Sequence, residues 1–266
     1  MQMTQSLIHI TLIGAGNVGY HLAQQLSNAP VAFDAVFSRN PDHAVEVAAM
    51  VHSKGINHFS DIPEGSDLYL ISLADQAAED FIRIFKPKSG VVAHTSGSLD
   101  LAIMHQTMRP HGVIYPLQTF SRAKPVNFDA IPVCTEASDT NTLLLIDKVA
   151  HFLSPDVRHI NSAQRRQTHL AAVFACNFTN FMYVAAADIL KKHDLEFDIL
   201  RPLLNEFFTK ANLMDPWAAQ TGPAIRGDQN IISTHLEMLN DLNEYKQLYR
   251  LLSTLIENRK ESEKQV

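Results

Sequence analysis

The chain has little cysteine, no run of basic residues and no long uninterrupted apolar segment, and each absence excludes a class of protein. Only two of its 266 residues are cysteine, Cys134 and Cys176. They lie far apart without paired spacing, so we expect no disulfide framework and no zinc site, but two small buried thiols in a reducing cytoplasm. No histidine pair has ligand spacing beside a carboxylate, so we predict no bound metal.

Charge and hydropathy exclude further classes. The 22 basic and 28 acidic residues give a net charge of −6, and the basic residues are dispersed, which argues against nucleic-acid binding. Polar residues interrupt the apolar runs before the roughly 20 positions that a bilayer span needs, and residues 1–9 lack the positive segment of a signal peptide. We therefore expect a cytoplasmic protein with a small-molecule substrate and no nucleic-acid or membrane partner.

The periodicity of apolar residues predicts two domains. Seven short apolar runs alternate with helical patterns as far as residue 161, which is typical of an α/β fold. We predict that residues 1–161 form a Rossmann dinucleotide-binding domain, a doubly wound parallel sheet. No proline or glycine occurs between Ser162 and Lys192, and no strand pattern follows. Residues 162–266 are therefore predicted to form an all-α domain for substrate binding and dimerisation.

A glycine-rich motif, G-x-G-x-x-G, follows the first predicted strand and opens a helix. In such a motif Gly14 permits a tight turn, Gly16 lets the backbone approach a pyrophosphate, and Gly19 lets helix and strand pack closely. Free N–H groups at the helix start bind the phosphate charge. The predicted cofactor contacts here are Gly14, Ala15, Gly16, Asn17, Val18 and Gly19, with Ser72, Leu73 and Ala74 beside the ribose and pyrophosphate.

The end of the second predicted strand favours NADP(H) over NAD(H). An NAD site usually has an acidic residue here, whereas this chain has Ser38, Arg39 and Asn40. Arg39 can bind a 2′-phosphate through charge-assisted hydrogen bonds, and its neighbours can add neutral donors.

At these residues the chain resembles a known superfamily. The sequence LIGAGNVG at residues 12–19, with Ser38 and Arg39, is similar to the NADP-binding domain of coenzyme-F420-dependent NADP oxidoreductases, pyrroline-5-carboxylate reductases and hydroxyacid dehydrogenases. Four further segments look like Rossmann-like proteins that carry a helical domain of unknown function: HTSGS at 94–98, YPLQTF at 115–120, HLAAVF at 169–174 and TGPAIRGD at 221–228. The resemblance implies a fold, an NADP(H) cofactor and pairing of two chains through the helical domain.

The chain departs from that superfamily at two positions. The second segment begins with Tyr115 where the resemblance leads us to expect histidine. The related hydroxyacid dehydrogenases carry a lysine four positions before an asparagine on the long helix, and here Val173 precedes Asn177. This argues against oxidation of 3-hydroxyacids.

Candidate cofactor-binding and catalytic residues follow the predicted strands and lie on the long helix. The loop His94-Thr95-Ser96 follows a predicted strand, so His94 and Thr95 are predicted to contact the cofactor. The hydroxyls of Thr95 and Ser96 either bond the cofactor or substrate, or cap a turn. On the long helix, 100° per residue places His169, Asn177 and Asn180 on one edge. The candidate catalytic residues are Ser96, Tyr115, His169, Asn177 and Asn180.

Two functions remain open from the sequence. The first is an NADP(H)-dependent oxidoreductase that transfers hydride to or from an imine, keto acid or hydroxy acid in a cleft between the domains. The second is a sensor that binds NADP(H) without catalysis; F420 or a flavin as hydride partner is also open.

Arg226 is predicted either to bind a substrate carboxylate or phosphate, or to pair with Asp228. Aromatic residues on the long helix favour a homodimer.

Overall fold

The computed structural model describes residues 7–263, which divide into two compact units, Met1–Asn177 and Phe178–Val266. The division lies inside the long helix, C-terminal to the boundary that the sequence predicts at residue 161. The first turns of that helix belong to the sheet-containing unit, because they carry side chains that are buried there.

The first unit is built on one eight-stranded sheet, which confirms the predicted Rossmann fold. The spatial order is β3-β2-β1-β4-β5-β6-β7-β8, with every neighbouring pair parallel except β6 and β7. The strands are β1 (Ile8–Ile13), β2 (Val31–Phe37), β3 (Gly55–Ile56), β4 (Leu68–Ile71), β5 (Val91–His94), β6 (His111–Pro116), β7 (Val133–Ala137) and β8 (Val157–His159). Strand β3 has only two residues, too short for its alternation to be visible in the sequence.

Helices cover the sheet, and their apolar faces form its core. They are α1 (Asn17–Leu26), α2 (Pro41–Met50), α3 (Asp75–Ile84) and α4 (Thr140–Leu153), with 3₁₀ segments at Phe59–Asp61, Leu101–Thr107 and Phe128–Ala130. Leu12, Leu70 and Ala93 are fully buried on adjacent strands. Parallel strands buried on both faces read as continuous apolar runs, which is why these were recognisable from the sequence.

One 30-residue helix, Ser162–Lys191, follows the sheet. It consists of α5 (Ser162–Ala172), a π-helical segment (Val173–Phe178) and α6 (Thr179–Lys191). Asn161 begins it with a capping box, because the Asn161 side chain accepts from the backbone of Gln164 and the Gln164 side chain accepts from that of Asn161. By length and composition alone this helix could cross a membrane, but helices of soluble proteins meet the same criterion, and the absence of a membrane partner stays a prediction.

The second unit is helical, as predicted. It contains all of α6, a 3₁₀ segment at Phe197–Leu200, and α7 (Arg201–Leu213), α8 (Pro223–Arg226), α9 (Gln229–Met238) and α10 (Asn243–Glu263). Several of its large apolar side chains are exposed to solvent, among them Leu203 at 64% and Leu213 at 79%.

Candidate functional site

The glycine-rich loop joins β1 to α1, and its three glycines are needed for different reasons. Gly14 has a φ of +111°, and a Cβ there would lie 2.1 Å from the carbonyl oxygen of Ser72. A Cβ on Gly19 would lie 2.0 Å from the carbonyl oxygen of Gly14. At Gly16, no described atom lies within 4 Å of the Cβ position. Packing within the protein therefore explains Gly14 and Gly19, whereas the space beside Gly16 is free for a ligand.

Two cavities of the first unit meet at this loop. One has a volume of about 760 Å³ and the other about 540 Å³, and Gly16, Ser72, Leu73 and Ala74 line both. The Ser72 hydroxyl is buried and has no hydrogen-bond partner among residues 7–263. A buried polar group without a partner is costly unless a ligand or water satisfies it. The combined groove passes the N-terminus of α1 and suits an elongated, anionic ligand such as a dinucleotide.

The smaller cavity contains the residues that follow β2. Ser38, Arg39 and Asn40 line it together with His43. Arg39 is exposed and makes no ion pair with any described residue, so its guanidinium is available to an anion. Asn40 has a second role as the cap of α2, since its Oδ1 accepts from the backbone N–H of Asp42 at 3.0 Å.

Tyr115 and His169 face the larger cavity from two different elements. Tyr115 lies on β6 and His169 on α5, and the phenol oxygen is 3.1 Å from His169 Nδ1. Burial raises the pKa of Tyr115 to about 12, so the phenol is protonated at neutral pH. The sequence singled out both residues, but only the tertiary structure brings them into hydrogen-bond contact.

Gly97 allows that contact, and sequence reasoning missed its role. A Cβ at Gly97 would lie 2.7 Å from His169 Nδ1 and 2.9 Å from Tyr115 Cζ. Only glycine lets the loop after β5 pass so close to both rings. Its place directly after Thr95 and Ser96 in the loop was the available signal.

The loop after β5 is held by Asp75, a residue that the sequence did not single out. The Ser96 hydroxyl donates to Asp75 Oδ1 at 2.7 Å and accepts from the backbone N–H groups of Ser98 and Leu99. The Ser98 hydroxyl also donates to Asp75. The hydrogen-bonding capacity of Ser96 is thus used within the loop, which favours the turn-capping alternative over donation to a substrate.

His94 occupies a different place from the one predicted. Its side chain is fully buried and lines neither cavity, whereas Thr95 lines the larger one. His94 Nδ1 accepts from the backbone N–H of Ser96 at 3.1 Å. Burial, aided by the charge of Arg165, lowers the pKa of His94 to about 3, so the imidazole is neutral. His94 therefore shapes the loop, while Thr95 and Gly97 face the cavity.

The π-helical segment changes the predicted stripe on the long helix. His169, Cys176 and Asn177 line the larger cavity, but Asn180 does not. A π-helix has more residues per turn than an α-helix, so the angle of 100° per residue assumed from the sequence fails after Val173. Cys176 is exposed, contrary to the expected burial of both thiols, whereas Cys134 is buried.

Arg226 lies in the second unit and is exposed at the end of α8. No ion pair joins it to Asp228 among the described residues; instead, Asp228 Oδ1 accepts from the backbone N–H of Ile231 and caps α9. Neither cavity of the groove is lined by Arg226.

Over residues 7–263 no cluster of three or more histidine, cysteine or acidic side chains is arranged to hold a metal ion.

Comparison with known proteins places this geometry among dinucleotide-dependent enzymes. Residues 131–256 match the model of a family described as a domain of unknown function, DUF2520. A candidate NADP oxidoreductase from Bacteroides fragilis is 39% identical, with 95% of this chain and 99% of that chain covered and a TM-score of 0.89. No curated protein matches the chain.

More distant structures share the fold. An imine reductase from Myxococcus stipitatus in complex with NADP⁺ is 14% identical, covering 96% of this chain and 94% of that chain with a TM-score of 0.66. A reductive aminase from Aspergillus terreus in complex with NADPH and ethyl levulinate is 13% identical, covering 95% and 93% with a TM-score of 0.73. At these identities the likeness extends to the fold alone.

Proposed function

This chain belongs to the same family as the Bacteroides fragilis protein, Rossmann proteins with a C-terminal DUF2520 domain, and we propose that it is an NADPH-dependent reductase of a small carbonyl or imine compound. The observation that carries the proposal is the Tyr115–His169 pair in the larger cavity, within the same groove as the glycine-rich loop.

The groove fits NADP(H) at three points. The open Cβ position of Gly16 leaves room for the pyrophosphate, the Ser72 hydroxyl offers an unused polar atom, and Arg39 is free to bind the 2′-phosphate. When bound, NADPH supplies a hydride.

Arg39→Ala is expected to weaken NADPH binding by ~2 kcal/mol, because the 2′-phosphate loses a charge-assisted hydrogen bond. NADH lacks that phosphate, so its affinity should stay nearly unchanged. Titration of cofactor fluorescence with each nucleotide measures both affinities. A carboxylate placed by Ser38→Asp should weaken NADPH binding further, and equal losses for the two nucleotides would contradict the assignment.

Two glycine substitutions separate binding from folding. Gly16→Ala places a methyl group in the groove, so we expect a normal Tm and at least a tenfold loss (order of magnitude) of NADPH affinity. Gly19→Ala drives a Cβ against the Gly14 carbonyl, so we expect a lowered Tm. Thermal unfolding and cofactor titration of both variants check this pair. A Gly16→Ala protein that binds NADPH as well as the wild type does would show that the cofactor does not approach there.

Tyr115 is the proposed proton donor. In the tautomer with a proton on Nδ1, His169 donates to the phenol oxygen, which leaves the phenol proton free for the substrate. Tyr115 then protonates the oxygen or nitrogen that gains negative charge as the double bond is reduced. His169 Nδ1 returns a proton to Tyr115 while the other ring nitrogen of His169, Nε2, takes one from water, so the imidazole stays neutral. Gly97 holds the loop close enough to keep both rings in place.

The lining of the larger cavity narrows the substrate class. Of the described residues in that lining, Asp75 is the only aspartate, glutamate, lysine or arginine. A carboxylate or phosphate on the substrate would find no lysine or arginine side chain among them. This favours neutral carbonyl compounds and imines over the keto and hydroxy acids that the sequence left open.

A panel of aldehydes, ketones, imines and keto acids tests the proposal through NADPH absorbance. We expect turnover of a neutral carbonyl or imine compound and weaker turnover of the matching acids. Tight NADPH binding without turnover across the panel would favour the non-catalytic sensor instead.

We further propose a homodimer formed through the helical unit. Its exposed apolar residues include Phe181 on α6, Leu203 and Phe207 on α7, and Leu251 and Leu255 on α10. These side chains recur at helical spacing on three elements, so a second copy can cover them by helix-on-helix packing about a two-fold axis.

We retain the cytoplasmic location predicted from the sequence, since both cysteines are free thiols.

Light scattering of the protein purified without detergent tests this assembly. A mass of twice the 29.7 kDa chain is expected at micromolar concentration. A mass of one chain that does not change on concentration would refute the dimer. Protein that is recovered only from the membrane fraction would instead assign the apolar surface to lipid.

A further inference from the structure

A segment of irregular structure, residues 117–127, lies against the glycine-rich loop; we name it the strap. The Asn17 amide donates to the carbonyl oxygen of Phe120 at 3.1 Å, and His21 Nε2 lies 3.0 Å from that of Ser121. Gln118, Thr119 and Phe120 line the larger cavity. Asn17, predicted as a cofactor contact, therefore also ties the strap to α1.

Arg122 of the strap makes three contacts that fix its guanidinium. Nη2 donates to the carbonyl oxygen of Ala15 in the glycine-rich loop, and Nη1 lies 2.5 Å from Glu46 Oε2 on α2. The guanidinium carbon lies 4.9 Å from the centre of the Tyr20 ring. The side chain is 24% exposed, so this cation is partly shielded from water.

Glu46 does not line the smaller cavity, but it lies close to residues that do. It follows His43 by three residues on α2, which places both on one face of the helix, and His43 lines that cavity together with Ala15 and Arg39. One guanidinium bridges Glu46 to the Ala15 carbonyl, so the carboxylate is close to the cavity wall. An uncompensated carboxylate at this place would repel a 2′-phosphate, as the acidic residue of an NAD site does.

We propose that Arg122 and Glu46 act as a specificity-determining pair for the 2′-phosphate of NADP(H). Arg122 neutralises the charge of Glu46, so no uncompensated carboxylate opposes the attraction between Arg39 and the phosphate. The inference rests on the proposed NADP(H) cofactor and assigns its discrimination to the strap as well as to the residues after β2.

If Arg122 has only a structural role, we expect a different pattern of nucleotide affinities. If its only effect is to hold the strap on Ala15, its loss disturbs the glycine-rich loop, which contacts the pyrophosphate common to both nucleotides. NADPH and NADH would then lose affinity equally. Neutralising Glu46 would not restore either.

The experiment is a double-substitution cycle with Arg122→Met, which keeps an unbranched apolar stem over Tyr20, and Glu46→Gln. The dissociation constants of NADPH and NADH are measured by cofactor fluorescence, and thermal unfolding establishes that each variant is folded. We expect Arg122→Met to weaken NADPH about tenfold and NADH less than about threefold. The double variant should recover at least about threefold of the NADPH affinity, because the repelling carboxylate is gone.

If the Arg122→Met variant fails to fold, Arg122→Lys is the second variant that tests the proposal. It keeps a cation beside Glu46 and should retain most of the preference for NADPH. Glu46→Gln alone should tighten NADPH binding, because the charge of Arg122 is then not neutralised by a carboxylate. Equal losses for both nucleotides in Arg122→Met, or no recovery in the double variant, overturn the role of Arg122. A wild-type protein without a preference for NADPH would overturn the proposed cofactor itself, which Arg39→Ala tests separately.

Discussion

Replacing Tyr115 by phenylalanine is expected to lower kcat at least a hundredfold, on the order of the contribution of a positioned general acid. The phenol contacts His169 across the larger cavity, and its pKa of about 12 keeps it protonated at neutral pH. Phenylalanine keeps the ring but removes the transferable proton. Because Tyr115 is not placed at the phosphates, the affinity for NADPH should change little. Single-turnover rates and cofactor titration separate the two effects.

The second unit offers a matched control for this substitution. Tyr249 also contacts a histidine, with its hydroxyl 2.9 Å from His235 Nδ1, and it does not line the larger cavity. Tyr249→Phe removes an equivalent hydroxyl and should leave kcat near that of the wild type. Equal losses in the two variants, or none in Tyr115→Phe, would refute Tyr115 as the proton donor.

Arg165→Met is expected to destabilise the fold by about 3–5 kcal/mol, because it removes one partner of a buried ion pair. The Arg165 side chain is 1% exposed and pairs with Glu136 on β7, which is 16% exposed. Its guanidinium also donates to the Leu99 carbonyl at 2.5 Å and to the Ser162 hydroxyl at 3.1 Å. These contacts join the start of the long helix to the sheet. Their loss leaves the Glu136 carboxylate without its cationic partner, with only the backbone N–H and hydroxyl of Ser162 still donating to it.

Arg166→Met provides the comparison at the next position. Arg166 pairs with Asp100, and the two side chains are 46% and 45% exposed. An exposed ion pair is worth 1 kcal/mol or less (order of magnitude), so this variant should unfold close to the wild type. Denaturant unfolding of both variants measures the difference. Similar midpoints for the two would show that the Arg165 network contributes little to stability.

The sequence was sufficient to predict those features of the fold that depend on the residues of one short segment. The apolar strands, the glycine-rich turn and the change from strands to helices near residue 161 were all predictable, because burial on both faces of a sheet and tight turns each demand particular residues. The absence of an acid after β2 was equally local. The sequence did not reveal β3, which has two residues, nor the 3₁₀ form of Leu101–Thr107, which a helical pattern does not distinguish from an α-helix.

The roles of site residues depended on contacts between distant segments. Whether the Ser96 hydroxyl is free to donate to a ligand depended on Asp75, 21 residues earlier, which accepts its hydrogen bond. The assignment of Asn180 to the site failed because a π-helical segment changes the helical phase. His94 is buried at the end of β5, where burial and the charge of the distant Arg165 lower its pKa and keep the imidazole neutral.

The sequence by itself determined the fold class, the cofactor-binding loop and the preference for an anion after β2, since each follows from the residue types of one short segment. The tertiary structure alone decided that Tyr115, His169 and Gly97 meet, that Arg165 anchors the long helix, and that Arg122 reaches Glu46. Hydrogen bonds and ion pairs between residues 29 to 76 positions apart depend on how the chain packs, and no periodicity in the sequence records them.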